Sequence, residues 1–459
     1  MWRDGGIMKH IAYKRYPIGN KRSIWKQKEF VLSTFAGCPM HDYGIGDAKE
    51  VVEKSVNNLK EAGFNMMELG WVNHEYAWEA VDACEKYELD LLFQDMSIMG
   101  GMQDNCLDNK VPYQTVKNLV AKLKNKKHTI GYYVWDEPHS DEQFKEARRQ
   151  MNMLEQEDPE ALLFTVAIPS YNDAGENKKG YSWENGLFAP YVERFIKEMD
   201  PPVLSFDYYP IGDYFHVWGD HCFVREHQLD DTYMWLDMAL FRKYAMEYKL
   251  PFWFYYQGCP LYECTDYFIF PMVRCFMYAA ILYGAKGLQH YSAGTKNNLL
   301  IKANGEKDIF FDEQKKIHAE IKALGDTLMA LDSRLVYHSA DLLPDCEYIT
   351  TFIDSISDSE IFMDDLPART SVGEFEDTYG NKYVMILNRD YEKRLKANLK
   401  MKDVFRVYEV CREDGKQRVI HEGTSQLSID LDAGDAILLR IQNTHEEAFT
   451  VEYKLHDGV

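Results

Sequence analysis

A carboxyl group at the mouth of an apolar strand is a candidate general acid. Partial desolvation raises its pKa toward the range where it can donate a proton at neutral pH. The segment GYYVWDEPHSDEQF (131–144) has that form: Tyr-Tyr-Val-Trp runs into Asp136 and Glu137, and Pro138 ends the strand. The competing structural role, capping the next helix, suits Ser140 better, with Gln143 at the capping-box position. Glu137 is therefore read as the acid. A carboxylic acid of this kind commonly works with a second carboxylate, acting either as nucleophile or as base for a water. Asp207, in SFDYYP (205–210), is the favoured partner. Asp136, Glu68 in MMELGW (66–71), Glu263 and Tyr256 are alternatives.

These residues need a frame that collects strand ends. Eight apolar runs alternate with amphipathic stretches between residues 29 and 332: 30–37, 64–71, 89–96, 129–137, 162–168, 203–210, 252–258 and 287–294. The intervening segments 48–63, 75–88, 113–127, 141–157, 187–200, 232–249 and 311–331 have helical periodicity, and Gly63 is placed to stop the first. The apolar stretch 268–285 contains Arg274 and a proline, so it reads as a buried helix. Strand then helix, eight times, predicts an α/β fold of the (β/α)8 TIM-barrel type. A doubly wound sheet would want a Gly-rich phosphate loop after the first strand, and AGCPMHDYGIG contains no such motif. From 335 to 459, period-2 runs separated by turn residues predict a C-terminal antiparallel β-sandwich. YITTFID (348–354) and IFMDD (361–365) are read as two of its strands. Residues 1–28 read as an N-terminal extension, and both chain ends as peripheral.

Barrel enzymes use the C-terminal ends of their strands. Those ends hold Cys38, His41, Glu68, Trp71, Asn73, His74, Gln94, Asp95, Trp135, Asp136, Glu137 and His139. They continue with Ser170, Tyr171, Asn172, Asp207, Tyr208, Tyr209, Tyr255, Tyr256, Gln257, Gln289, His290 and Tyr291. The rim is rich in carboxylates, amides and aromatics and poor in Lys and Arg, which suits a polyol rather than a phosphate or carboxylate. Glu68, Trp71, Asp95, Trp135, Asp136, Tyr208, Tyr256, Gln257, His290 and Tyr291 are the candidate substrate-binding residues. Trp71, Trp135 and Tyr291 are equally at home as core, and His290 as a core histidine. Three histidines and a cysteine in GDYFHVWGDHCFVREH (212–227) match no metal motif, so that stretch is read as a loop over the barrel mouth. Neither a metal nor a cofactor is expected.

The 459 residues carry 52 Lys+Arg against 74 Asp+Glu, a net charge of −22. That balance disfavours nucleic acid and anionic membrane surfaces as partners. Aromatics make up 14% of the chain, most of them core. Nine cysteines without a CxxC pair read as reduced thiols. Residues 1–30 contain no apolar signal-type run, so a cytoplasmic location is expected, a removed signal being the alternative. The sandwich either packs on the barrel or helps form a homo-oligomer.

Asp136-Glu137-Pro138 resembles the strand-4 acid/base motif of the clan-A glycoside hydrolases, usually Asn-Glu-Pro. The Tyr-rich end of SFDYYP, PFWFYYQG (251–258) and YGAKGLQHYSAG (283–294) extend the likeness toward the family 42-type β-galactosidases. The resemblance implies a barrel hydrolase with a trailing β-domain, and Glu137 as acid/base. It also implies a nucleophilic Glu at the end of strand 7, where this chain has Tyr256 or Gln257. Three functions follow: a hydrolase of a neutral or amino-sugar glycoside, a catalytically degenerate carbohydrate-binding barrel, or another polyol chemistry such as a lyase or isomerase. The last usually needs a Lys base or a metal.

Overall fold

The computed structural model describes residues 2–4, 7–14, 24–39, 46–72, 74–95, 107, 110–170, 181, 183, 186–211, 214–218, 221–225, 232–260, 268–291, 293–294, 298–342, 349–363 and 365–455. Eight parallel strands alternate with eight helices. The strands are β1 (Val31–Thr34), β2 (Met66–Glu68), β3 (Asp90–Phe93), β4 (Thr129–Asp136), β5 (Leu162–Val166), β6 (Leu204–Tyr208), β7 (Phe252–Gln257) and β8 (Gly287–Tyr291). The helices are α1 (Ala48–Glu61), α2 (His74–Tyr87), α3 (Tyr113–Leu123), α4 (Asp141–Glu157), α5 (Phe188–Met199), α6 (Thr232–Tyr248), α7 (Phe270–Leu282) and α8 (Phe311–Ala330).

The strands pair as two parallel sheets, β1-β8-β7-β6 and β2-β3-β4-β5. One seam is bridged at Ala167–Phe206, where Ala167 N donates to Ser205 O at 2.9 Å. At the other, Asn65 N donates to Leu32 O at 3.0 Å and Gly37 N to Glu68 O at 3.2 Å. Helix boundaries follow local chemistry. Ser140 and Gln143 form a complete capping box at α4, and Gly63 follows α1 at φ +92°, a left-handed value that glycine adopts without penalty. Helix α7 buries nearly all its side chains. No helix among the described residues is long and apolar enough to cross a membrane.

The C-terminal part corrects the expectation of two stacked sheets. It is one six-stranded antiparallel sheet in the order β9-β10-β11-β14-β12-β13. Its strands are β9 (Leu331–His338), β10 (Thr370–Asp377), β11 (Lys382–Asn388), β12 (Leu395–Val410), β13 (Gln417–Leu431) and β14 (Ala436–Asn443). One face joins the main core through Phe375, Tyr383, Met385 and Leu438. The other is covered by the far half of the β12–β13 hairpin, whose Leu399, Met401, Leu427 and Ile429 share a second core with Val384, Ile386 and Leu439. Register shifts between Lys400 and Tyr408 bend the hairpin. A single sheet thus folds over itself and gives the alternation expected of a sandwich.

Two further expectations change. Ile349–Phe352 is a short helix rather than a strand, with the Phe352 ring packed on Trp183. The chain ends are not peripheral: Ile7–Lys14 runs parallel to Phe449–Leu455, and the Tyr453 hydroxyl lies 2.8 Å from that of Tyr383. Within 212–227, Tyr214–Trp218 and His221–Arg225 form an antiparallel hairpin.

Candidate active site

Strand alternation decides which residues meet. Successive side chains point to opposite faces. On β7, the Tyr255 hydroxyl bonds Glu68, whereas Tyr256 accepts from Gln314 of α8 at 3.0 Å. On β8, Gln289 faces inward, taking Ser205 at 2.7 Å and donating to Glu68 at 2.8 Å. His290 faces the helix layer, edge-on to Phe64 and Tyr256, and burial pushes its pKa down to about 3. Glycine at 258 makes room for it, since a Cβ there would lie 2.2 Å from His290 Nε2. Tyr208, next to inward Asp207, is fully buried, as is Trp135. Tyr208, Tyr256, His290 and Trp135 are thus buried among core side chains.

The interior is filled by rings. Phe35, Tyr133, Phe164, Trp253 and Tyr255 pack with centroids 5.4–6.3 Å apart. Above them stand four carboxyl groups. Glu68, fully buried, accepts Ser33 Oγ at 2.7 Å, Gln289 Nε2 and the Tyr255 hydroxyl. Asp136 accepts the Tyr133 hydroxyl and Trp71 Nε1, each at 2.7 Å. Asp207 accepts a hydrogen bond from Tyr209, and its carboxyl and that of Glu137 are within hydrogen-bonding reach of each other. Among the described residues no N–H or hydroxyl donates to Asp207 Oδ1, which is buried. A proton on Glu137 is the donor at hand. Three carboxyls therefore each take a tyrosine hydroxyl, while Glu137 faces another carboxyl.

Burial dominates the electrostatics and like charge adds to it. Burial, then Asp207 and Asp136, push Glu137 well above the ordinary carboxylate range. Burial and the Asp136 charge push Asp207 up to about 7 against the pull of Glu137 and Tyr209. Burial takes Glu68 up to about 7 despite its three donors. Two carboxyls in contact cannot both ionise readily, so such a pair holds one proton between them.

Three of the eight non-glycine residues with positive φ among the described residues lie here. Ala36, Trp71 and Glu137, all just past strand ends, have φ of 45°, 66° and 49°. Such left-handed values are costly for bulky residues and persist only when neighbours enforce them. Gln94 Oε1 holds Trp71 N at 3.0 Å. Around Glu137, its own N–H donates to Val166 O, and the Tyr191 hydroxyl of α5 donates to Pro138 O while accepting from Ile168 N.

The remaining candidates divide. Trp71 and Tyr291 keep part of their surface open, and Tyr291 stacks on Phe35 and lies 4.4 Å from Tyr209. Asp95 is fully buried beneath His74 at 2.5 Å and Trp78 at 3.1 Å; the His74 side chain is 60% exposed and is what the mouth presents. Gln257 spends its amide on the loop after β6, accepting from Ile211 N at 2.8 Å and donating to Ile211 O at 2.6 Å. His41, Asn73, Tyr171, Asn172 and Glu263 lie outside the described residues. Sequence reasoning listed Tyr209 and Tyr255 only as strand-end residues and missed Tyr133 and Tyr191. The inward parity shared with Asp207 and Gln257 marks Tyr255; no local signal marks Tyr191. Among the described residues no group of three or more His, Cys, Asp or Glu is arranged to hold a metal ion.

No protein-family model and no curated protein matches this chain. Among solved structures it is similar to a GH27 β-L-arabinopyranosidase from Geobacillus stearothermophilus, with TM-score 0.45, 10% identity, and 91% of this chain and 97% of that one covered. A GH30 endoxylanase from Clostridium papyrosolvens gives TM-score 0.40 and 8% identity, covering 93% and 98%. SrfJ from Salmonella typhimurium gives 0.44 and 10%, covering 96% and 94%.

Proposed function

We propose that this chain is a retaining glycoside hydrolase acting on a neutral or amino-sugar glycoside, with Glu137 as acid/base and Asp207 as nucleophile, and that its eight parallel strands close into a (β/α)8 barrel. The backbone hydrogen bonds across both seams support closure. The observation that carries the function is the contact between the Glu137 and Asp207 carboxyls, with a tyrosine donor on one side only. The Tyr209 hydroxyl favours the anion on Asp207 and leaves the proton on Glu137. An inverting pair stands about 6.5–9.5 Å apart to admit a water, and a retaining pair about 5–5.5 Å. Carboxyls within hydrogen-bonding reach stand closer together than an inverting pair, which supports the retaining reading.

In the first step Asp207 attacks the anomeric carbon while Glu137 protonates the leaving oxygen. The glycosidic C–O bond breaks and a glycosyl ester forms on Asp207. Glu137, now a carboxylate, takes a proton from water as that water attacks the same carbon and frees Asp207. The half-open ring of Tyr291 and the Trp71 indole supply sugar-facing surface. The absence of Lys and Arg from the hydrogen bonds to these carboxyls, among the described residues, fits a substrate without phosphate or carboxylate. The described cysteines Cys38, Cys84, Cys259, Cys275 and Cys411 are buried and in no disulfide with one another, which fits a cytoplasmic setting.

A panel of aryl glycosides tests the reading. Turnover is expected for at least one neutral or amino sugar, and a 2-deoxy-2-fluoro glycoside should leave its mass on Asp207. A second reading, a carbohydrate-binding barrel without turnover, is favoured by Gln257, which holds a loop where the clan-A resemblance places a nucleophile. Sugar binding by calorimetry with no hydrolysis across the panel would select it.

A further inference from the structure

We propose that Asp136 is the positioning charge of this site: a carboxylate pinned by Tyr133 and Trp71, whose negative charge beside Glu137 keeps one proton on the Glu137–Asp207 pair. The inference rests on the reading of that pair as the reacting carboxyls.

Asp136 is 8% exposed and both of its oxygens accept a neutral donor at 2.7 Å. Burial raises the Asp136 pKa, and the two short hydrogen bonds from groups that do not readily give up their protons oppose it by favouring the ionised form. Trp71 is itself held by Gln94 Oε1, which accepts from its backbone N–H at 3.0 Å and keeps its left-handed backbone in place. Tyr133 stands three residues before Asp136 on β4, with its ring packed on Phe35 and Phe164. The anchors therefore come from two strands and the aromatic floor.

Among the described residues, the groups that act on the pair include no cation. Facing Glu137 are Asp136 on its own strand, Asp207 on β6 and the Tyr191 phenol of α5. Facing Asp136 are Tyr133 and Glu137 on β4, Trp71 and Glu68 from β2, Asp207 from β6 and Tyr255 from β7. All are acids or neutral donors. A fixed negative charge among them raises the proton affinity of both members of the pair, in the direction seen for each. Asp136 touches neither sugar nor proton in this role; it acts through Glu137.

Asp136→Asn removes the charge and keeps the shape: the amide oxygen still accepts from Trp71, and the amide N–H can donate to the Tyr133 oxygen. The experiment is a carbon-13 NMR titration of the chain labelled at the glutamate carboxyl carbon, with the Glu137 signal identified by its loss in Glu137→Gln. Asp136→Asn is expected to lower the Glu137 midpoint by about one to two pH units. Trp71→Phe, which removes one of the two donors but leaves the carboxylate, should lower it by clearly less. An unchanged midpoint in Asp136→Asn, or an equal fall in Trp71→Phe, would overturn the proposal. If hydrolysis is found, the alkaline limb of kcat/KM should move down with the midpoint. If no glycoside is turned over, the hydrolase reading fails while the titration still decides the role of Asp136.

Discussion

Two clusters of buried charge-bearing side chains among the described residues are built in opposite ways. At the C-terminal ends of the parallel strands, Glu68, Asp136, Glu137 and Asp207 meet phenols, an indole and amides, and their pKa values rise. Where α7 and α8 meet the C-terminal sheet, Arg274 bonds Glu320 at 2.5 Å and Asp435 at 2.8 Å, and Arg412 bonds Asp435 at 2.6 Å. Burial pushes up on Asp435 as well, yet the two guanidiniums together hold it below its ordinary value. Burial alone therefore does not decide protonation; the sign of the neighbours does. The interface cluster is arranged to stay charged and hold two parts of the chain together. The mouth keeps protons on carboxyls, at a cost in stability, as a site for proton transfer requires.

That contrast can be broken at either end. The largest effect is expected in the mouth: Glu137→Gln should lower kcat by about 10²–10⁴-fold while leaving the unfolding midpoint close to wild type. Arg274→Ala should do the reverse. It strands Glu320 and Asp435, costs roughly 3–5 kcal/mol in urea unfolding, and leaves the rate per folded molecule unchanged. A large loss of kcat in Arg274→Ala would show that the clusters are coupled.

The pH dependence separates them further. Glu68 has a folded pKa raised to about 7, so its contribution to stability is full below its unfolded value and is lost as pH rises toward 7. Asp435, held low, contributes above its unfolded value and loses that contribution as pH falls through its folded pKa. Calorimetry should therefore find Tm falling between about pH 5 and pH 8, with Glu68→Gln flattening that slope by roughly 3 kcal/mol of pH-dependent stability. In the same range kcat/KM should rise through about pH 7 as Asp207 ionises, and fall at higher pH where Glu137 loses its proton. The smallest test uses neighbours on β7. Tyr256→Phe should cost about 1 kcal/mol and leave the pH profile alone, whereas Tyr255→Phe should raise the Glu68 midpoint by removing a donor.

Much was legible along the chain because it depends on neighbours in sequence. Strand-helix alternation, the Ser140 capping box, the Gly63 stop and the place of Glu137 at a strand end all follow from residues within a few positions of one another. Parity on a strand is local too, but its phase is not: SFDYYP and FWFYYQG carry polar tips at successive positions, and nothing in either run says which tip faces inward. Tyr208 and Tyr256, both buried, stand next to Asp207 and Tyr255 in those runs. The C-terminal strands were legible as alternating runs, but not the bend that folds one sheet over itself, nor the pairing of Ile7–Lys14 with Phe449–Leu455.

The sequence by itself determined that a glutamate would end the fourth strand of an alternating α/β chain with few cations near its strand ends. Only the tertiary structure decided that Glu137 would meet Asp207 from β6, that Asp136 would be pinned by Trp71 from β2, and that Tyr191 would reach across from α5. The reason is physical: helix and strand formation are governed by bonds and side chains a few residues apart, while a buried carboxyl takes its proton affinity from whatever charges the fold brings within a few ångströms.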